Sequence, residues 1–179
     1  MSSDTTESRQ RLFFALWPDA EVRAALEATG ESLLGKRVKR IPAANLHLTL
    51  AFAGSVTSRV RRCLETAAGD IRQAPFDLTI DHGGHWQRPR IAWVGPTHTP
   101  PGLWSLVGDL RTAFESCGLQ ADTRPYQPHV TLARKISRLE NATHINPVPW
   151  SIRSFSLVAS VTDPRGARYE RLVSWALEG

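Results

Sequence analysis

Two short stretches of the chain carry the residues best suited to chemistry. "NLHLTLAF" (45–52) sets His47 and Thr49 two apart in an apolar run, and "QPHVTLAR" (127–134) does the same with His129 and Thr131. Both continue as Thr-Leu-Ala, so the shared pattern runs over five positions and chance explains it poorly. Alternate side chains of a β-strand share a face. His47 and Thr49 therefore point one way while Leu46, Leu48 and Leu50 point into a core, and His129 and Thr131 share a face likewise. Two such strands related by a pseudo-twofold would ring one cavity with two imidazoles and two hydroxyls.

That set suits a phosphate. In-line displacement at phosphorus needs a base on the attacking oxygen and an acid on the leaving oxygen, on opposite sides. Imidazole, with an ordinary pKa of ~6.5, can do either near neutrality. The threonine hydroxyls can donate to the non-bridging oxygens, where charge grows in the transition state. This chemistry calls for no metal and no cofactor.

The elements that must position these residues follow from periodicity. "RLFFALW" (11–17) reads as a buried strand, and Pro18-Asp19 opens a helix with Val22, Ala25, Leu26 and Leu33 near one stripe. The first His-x-Thr strand is expected over 46–53, ended by Gly54, and a helix over about 58–73. "FDLTI" and "RIAWVG" read as strands across a loop, "DHGGHWQRP". "LWSLVGDLRTAFESCG" reads as a third helix closed by Gly118. The second His-x-Thr strand is expected over about 128–133, then a Pro-rich turn "INPVPW" and strands near 152–161 and 168–177. The expected class is α+β with mostly antiparallel sheet and a loose internal duplication, His47 and His129 lying 82 residues apart (129 − 47).

Composition bounds the rest. The 179 residues, 41% hydrophobic and 22% charged, fit one globular domain of one or two lobes. A net charge of +5 favours polyanionic partners. No run reaches the ~18 apolar residues a membrane span needs, and the polar leader 1–9 lacks a signal core, so the expected location is cytoplasmic. Cys63 and Cys117 fall in helical stretches and read as small core residues of a reducing compartment, with no disulfide implied.

With these residues in place, the chain resembles the two-histidine (2H) phosphoesterase superfamily, and within it the bacterial RNA 2′,3′-cyclic phosphodiesterases, also called 2′-5′ RNA ligases or LigT-like proteins. The resemblance covers nearly the whole chain: "RLFFALWPD", both His-x-Thr motifs, "YQPHVTLAR" and the closing "FSLVASVTDPRGARYERLVSWAL". It implies a single bilobal domain over 10–179, two pseudo-symmetric lobes of antiparallel sheet with helices around a central cleft, one lobe including both chain ends. It implies His47 as proton donor to the leaving oxygen, His129 as the base that activates water, and Thr49 and Thr131 on the phosphate. It also implies Phe52 and Arg134, each five residues past its histidine, as side chains sandwiching the nucleobase. In an ideal strand that odd offset puts them on the wrong face, so the strands must bend or end by then. The implied reaction opens RNA 2′,3′-cyclic phosphate ends to 2′-phosphates in a monomer, with weak reverse 2′-5′ ligation.

Two rivals remain. One is a non-catalytic module that binds RNA ends in the same cleft, and the other a same-fold enzyme acting on 2′-5′ oligonucleotides or small cyclic phosphates. Three further patterns carry less. "GESLLGKR" (30–37) nearly spells a phosphate-binding P-loop, but Arg37 stands where a Ser or Thr should hold magnesium and a helix precedes it. Asp81, His82 and His85 lack a further ligand cluster and read as an exposed turn. The basic residues Lys36, Arg37, Lys39, Arg40, Arg59, Arg61 and Arg62 flank the first motif and could guide an RNA backbone or simply be solvated.

Overall fold

The computed structural model describes residues 8–139, 144–164 and 166–179. Most of the polar leader, and "NAT" at 141–143, formally a glycosylation acceptor, lie outside the described residues. In chain order the elements are β1 (Arg9–Leu16), α1 (Ala20–Leu34), a short 3-10 turn (Ala43–Asn45), β2 (Leu48–Thr57), α2 (Ser58–Gly69), β3 (Phe76–Ile80) and β4 (His82–Trp86). They continue with β5 (Ile91–Gly95), α3 (Pro101–Ser116), β6 (Val130–Arg134), β7 (Val148–Ile152), β8 (Ser154–Asp163) and β9 (Gly166–Ala176).

The helices begin where local chemistry satisfies their free N–H groups. Asp19 Oδ1 accepts from the Val22 amide at 2.9 Å to cap α1, and Gly35, at φ +73°, closes it. Thr57 caps α2, and Pro101 supplies the first residue of α3, where a missing N–H costs nothing. The P-loop-like stretch is the C-terminal turn of α1 and the loop after it, without a preceding strand.

Among the described residues, seven strands form one sheet in the order β4-β5-β6-β2-β1-β8-β9, and β3 pairs with β7 separately. All these pairings are antiparallel. The large sheet has two parts, β4-β5-β6 on one side and β2-β1-β8-β9, with the first and last strands, on the other. They are joined across β2 and β6 by one residue pair, Leu48 with Val130.

One face of β1 and β2, with Leu12, Phe14, Leu16, Leu48 and Leu50, packs into the main core with Leu103, Leu106, Leu110 and Phe114 of α3 and Leu26 of α1. The other face carries a smaller cluster of Phe13, Ala15 and Val158 with Trp17 and Tyr169 against it. β1 is thus buried on both faces, which is why its sequence reads as a continuous apolar run rather than an alternation.

The structure departs from the sequence expectations at four places. Gly54 does not end β2: at φ +74° it sits beside an irregularity that skips Ala53, and the strand continues to Thr57. Half of the expected loop "DHGGHWQRP" is strand β4, held by five pairings to β5. Part of the expected turn "INPVPW" belongs to β7, whose Pro149 is tolerated on a two-stranded sheet because each strand there is an edge. Finally, Cys63 and Cys117 are not free thiols: they form a disulfide, α2 and α3 packing side by side with the two Cα atoms 5.8 Å apart. That adjacency is tertiary, and helical periodicity within each segment carries no sign of it.

Candidate active site

Each histidine sits one residue before its strand, so its ring stands at the mouth while the following leucine or valine anchors the backbone in the core. The Leu48–Val130 pairing is the centre of the arrangement. Continuing that antiparallel register by one residue each way puts His47 across from Thr131 and Thr49 across from His129. All four line one cavity of about 120 Å³, together with Ile41, Asn45, Ile91, Arg134 and Tyr169. The structure therefore brings together the two matched motifs as the period-two argument requires.

Both imidazoles are oriented by the same local device. His47 Nδ1 lies 2.7 Å from the Asn45 carbonyl oxygen, and His129 Nδ1 lies 2.8 Å from the Gln127 carbonyl oxygen, each two residues upstream. A carbonyl oxygen only accepts, so each Nδ1 carries the hydrogen and each Nε2 is the nitrogen left for acid or base work. Burial pulls both groups below the ordinary 6.5. The Asn45 and Gln127 carbonyls push them partly back, while the Arg134 guanidinium lowers both and His129 lowers His47 as well.

The surroundings of the two rings differ. His47 stacks flat on Trp17, at 5.2 Å and 5°, with Phe13 and Tyr169 at 5.0 Å each. His129 instead meets Trp86 nearly at right angles, at 4.5 Å, with Trp93 behind it. The sequence reading missed these aromatics. Trp17 closes the apolar run of β1, and Trp86 lies in a stretch that glycines disguised as a loop; their type was the available signal, their proximity was not.

Phe52 and Arg134 reach the cleft by a feature no ideal strand has. In β2 the pairing to β1 skips Leu50, so Thr49 faces Ala15, Ala51 faces Phe14, and Phe52 faces Phe13. Phe13 belongs to the cleft-side cluster, and Phe52 therefore returns to the cleft face. In β6 the pairing to β5 skips Leu132, and Arg134 faces Ile91, a cleft residue. Each bulge falls three residues after its histidine and inverts the alternation there. The two side chains do not share a cavity, however. Arg134 lines the catalytic one, whereas Phe52 lines a neighbouring cavity of about 390 Å³; Thr49 and His129 border both.

Of the remaining candidates, His85 Nε2 lies 2.9 Å from the Ile136 carbonyl, and the His82 ring packs near Trp93. Among the described residues no three His, Cys, Asp or Glu side chains gather as a metal site. Arg61 pairs with Glu65 and Gln10, and Arg40 binds the Gly35 carbonyl.

Comparison with known proteins finds relatives along nearly the whole chain. The chain is 38% identical to the Escherichia coli RNA 2′,3′-cyclic phosphodiesterase over 180 residues, covering 94% of this chain and 97% of that protein. It is 25% identical to the protein of the same name from Archaeoglobus fulgidus, covering 90% and 97%. Its fold matches a crystal structure of a phosphoesterase with a TM-score of 0.89 at 35% identity, over 96% of this chain and all of that one. Escherichia coli LigT complexed with 3′-AMP matches with a TM-score of 0.86 at 35% identity, over 95% and 99%. Residues 17–163 match the 2′-5′ RNA ligase superfamily, and the chain belongs to that family.

Proposed function

We propose that the protein is an RNA 2′,3′-cyclic phosphodiesterase that opens cyclic phosphate ends to 2′-phosphomonoesters by acid–base catalysis between His47 and His129. The observation that carries this reading is the matched pair of imidazoles, each with Nδ1 tied to its own upstream carbonyl and Nε2 left for the shared cavity. In the reaction His129 takes a proton from water as its oxygen attacks phosphorus. The bond to O3′ breaks on the opposite side, and His47 Nε2 protonates the departing oxygen. Thr49 and Thr131 donate to the non-bridging oxygens. A 5′-hydroxyl in place of water would form a 2′-5′ linkage by the same steps.

The assignment of acid and base is supported by the ring environments. The flat face of Trp17 favours a cation lying over it, which suits the histidine that must begin protonated. Phe52 in the larger cavity and Arg134 in the catalytic one offer an aromatic and a guanidinium plane to the nucleoside. All these groups come from one chain, so a monomer suffices, and a cytoplasmic location accords with an RNA substrate.

His47→Ala and His129→Ala are each expected to lower turnover of a 2′,3′-cyclic nucleotide by about 10²- to 10⁴-fold with the circular dichroism spectrum unchanged. Phosphorus NMR of the wild-type product is expected to show the 2′-phosphomonoester. A variant retaining near wild-type turnover, or wild-type protein that binds RNA ends without releasing product, would reject the mechanism.

A further inference from the structure

The catalytic cavity has one wall that the two matched motifs do not supply. Tyr169 of β9 lines it, and its ring meets the His47 ring edge-on, at 5.0 Å and 77°. The same ring lies 5.3 Å from Phe13 and 6.3 Å from Trp17, so the three aromatics together enclose His47. His129 takes its ring contacts from Trp86 and Trp93 instead, on the other side of the sheet.

β9 is poorly placed to hold that wall by its own pairing. It is the last strand of the large sheet and, among the described residues, pairs with β8 alone. An edge strand has no ladder on its outer side, so the position of its side chains depends on tertiary ties. Asn45 supplies such a tie: its Nδ2 donates to the Ala167 carbonyl at 3.1 Å, across 122 residues of sequence. Ala167 stands two residues before Tyr169, beside the Asp163–Gly166 pair that closes the hairpin. A carbonyl oxygen only accepts, so the bond needs the amide nitrogen of Asn45. Asn45 therefore holds His47 from two directions. Its own carbonyl accepts from Nδ1 at 2.7 Å, and its side chain grips the strand that covers the ring.

Resting on the proposed role of His47 as acid, we infer that the Asn45 side chain is a positioning residue that latches the β8–β9 hairpin and keeps Tyr169 closed over the His47 ring. The charged and titratable groups around that ring are His129 and Arg134 across the cavity and, from β9, Tyr169 and Arg171, the last 5.8 Å over Trp17. Only the β9 pair moves with the hairpin. Admitting water to the ring and withdrawing the Arg171 cation both favour the imidazolium, so opening the latch raises His47 toward 6.5.

The test is Asn45→Ala, which removes the latch but keeps the backbone carbonyl that orients Nδ1. Imidazole NMR titration is expected to show His47 moving up toward 6.5 and His129 moving less. With a 2′,3′-cyclic mononucleotide, kcat should fall about tenfold as the acid loses its fixed position, while KM stays within about twofold. Tyr169→Ala should reproduce both effects. The double variant should lie within about twofold of the worse single one, because the two residues act through one contact. An unchanged His47 titration and kcat in Asn45→Ala would overturn the inference, as would single effects that multiply in the double variant. A loss expressed in KM would also overturn it, since Asn45 would then be touching the substrate. Wild-type protein that shows no turnover, with the His47 titration still shifted by Asn45→Ala, would instead defeat the underlying reaction.

Discussion

His47 and His129 must hold opposite protonation states, and their environment determines the pH at which they can. Burial is the largest effect on both and favours the neutral ring, so in the free protein both titrate below the ordinary 6.5. The bell-shaped kcat/KM profile is therefore expected to centre on the acid side of 6.5, its limbs belonging to the coupled pair rather than to either residue. A bound phosphate anion stabilises the imidazolium, so the kcat profile should lie at higher pH than that of kcat/KM. Stability carries the same sign. The unfolded chain binds protons at these sites more readily than the folded one, so their contribution is fully present above pH ~6.5 and is lost as pH falls toward the folded values. Denaturant melts between pH 5 and 8 check this: His129→Gln should flatten the acid-side decline, and an unchanged decline would mean the burial effect is absent.

At the scale of elements, the site depends on strands that break their own periodicity. The bulges at Leu50 and Leu132 turn Phe52 and Arg134 onto the cleft face. On the His129 side, β4 pairs with β5 so that Gly84 lies opposite Trp93. A Cβ on Gly84 would fall 2.2 Å from the Trp93 ring, which packs on Trp86, the ring that meets His129. Gly84→Ala is expected to cost about 1–3 kcal/mol in unfolding free energy and to lower kcat by displacing His129. Urea melts and turnover measured together check it, and a variant with both unchanged would show that the ring can move freely. These elements also mark how far the sequence could be read. The His-x-Thr spacing was legible because period two is a property of any strand, and α1 was legible from Asp19 and its stripe. The bulges were not, since Leu50 and Leu132 look like ordinary core positions and only a partner strand reveals the skipped residue. β4 was hidden for a related reason: Gly83 and Gly84 signal a turn locally, but here Gly84 makes room for an indole.

At the scale of the whole molecule, the two halves of the sheet are joined between β2 and β6 by a single residue pair, and the helical layer behind the sheet must help keep them in register. Within that layer Cys63 and Cys117 tie α2 to the end of α3 across 54 residues of sequence. On chain-entropy grounds such a cross-link contributes about 4 kcal/mol by restricting the unfolded chain. In a reducing compartment such a cross-link is open to reduction. The histidines, however, are held by β2, β6 and their upstream carbonyls, on the face of the sheet opposite the main core. Cys63→Ser, or reduction of the wild type, is therefore expected to lower the unfolding free energy by about 2–5 kcal/mol while leaving kcat/KM for a cyclic mononucleotide within about twofold. Thermal melts with and without reductant, paired with turnover well below the transition, separate the two effects. If turnover collapsed on reduction while the folded state persisted, the α2–α3 tie would be setting the distance between the histidines, and the active site would be a property of the whole layer rather than of its two strands.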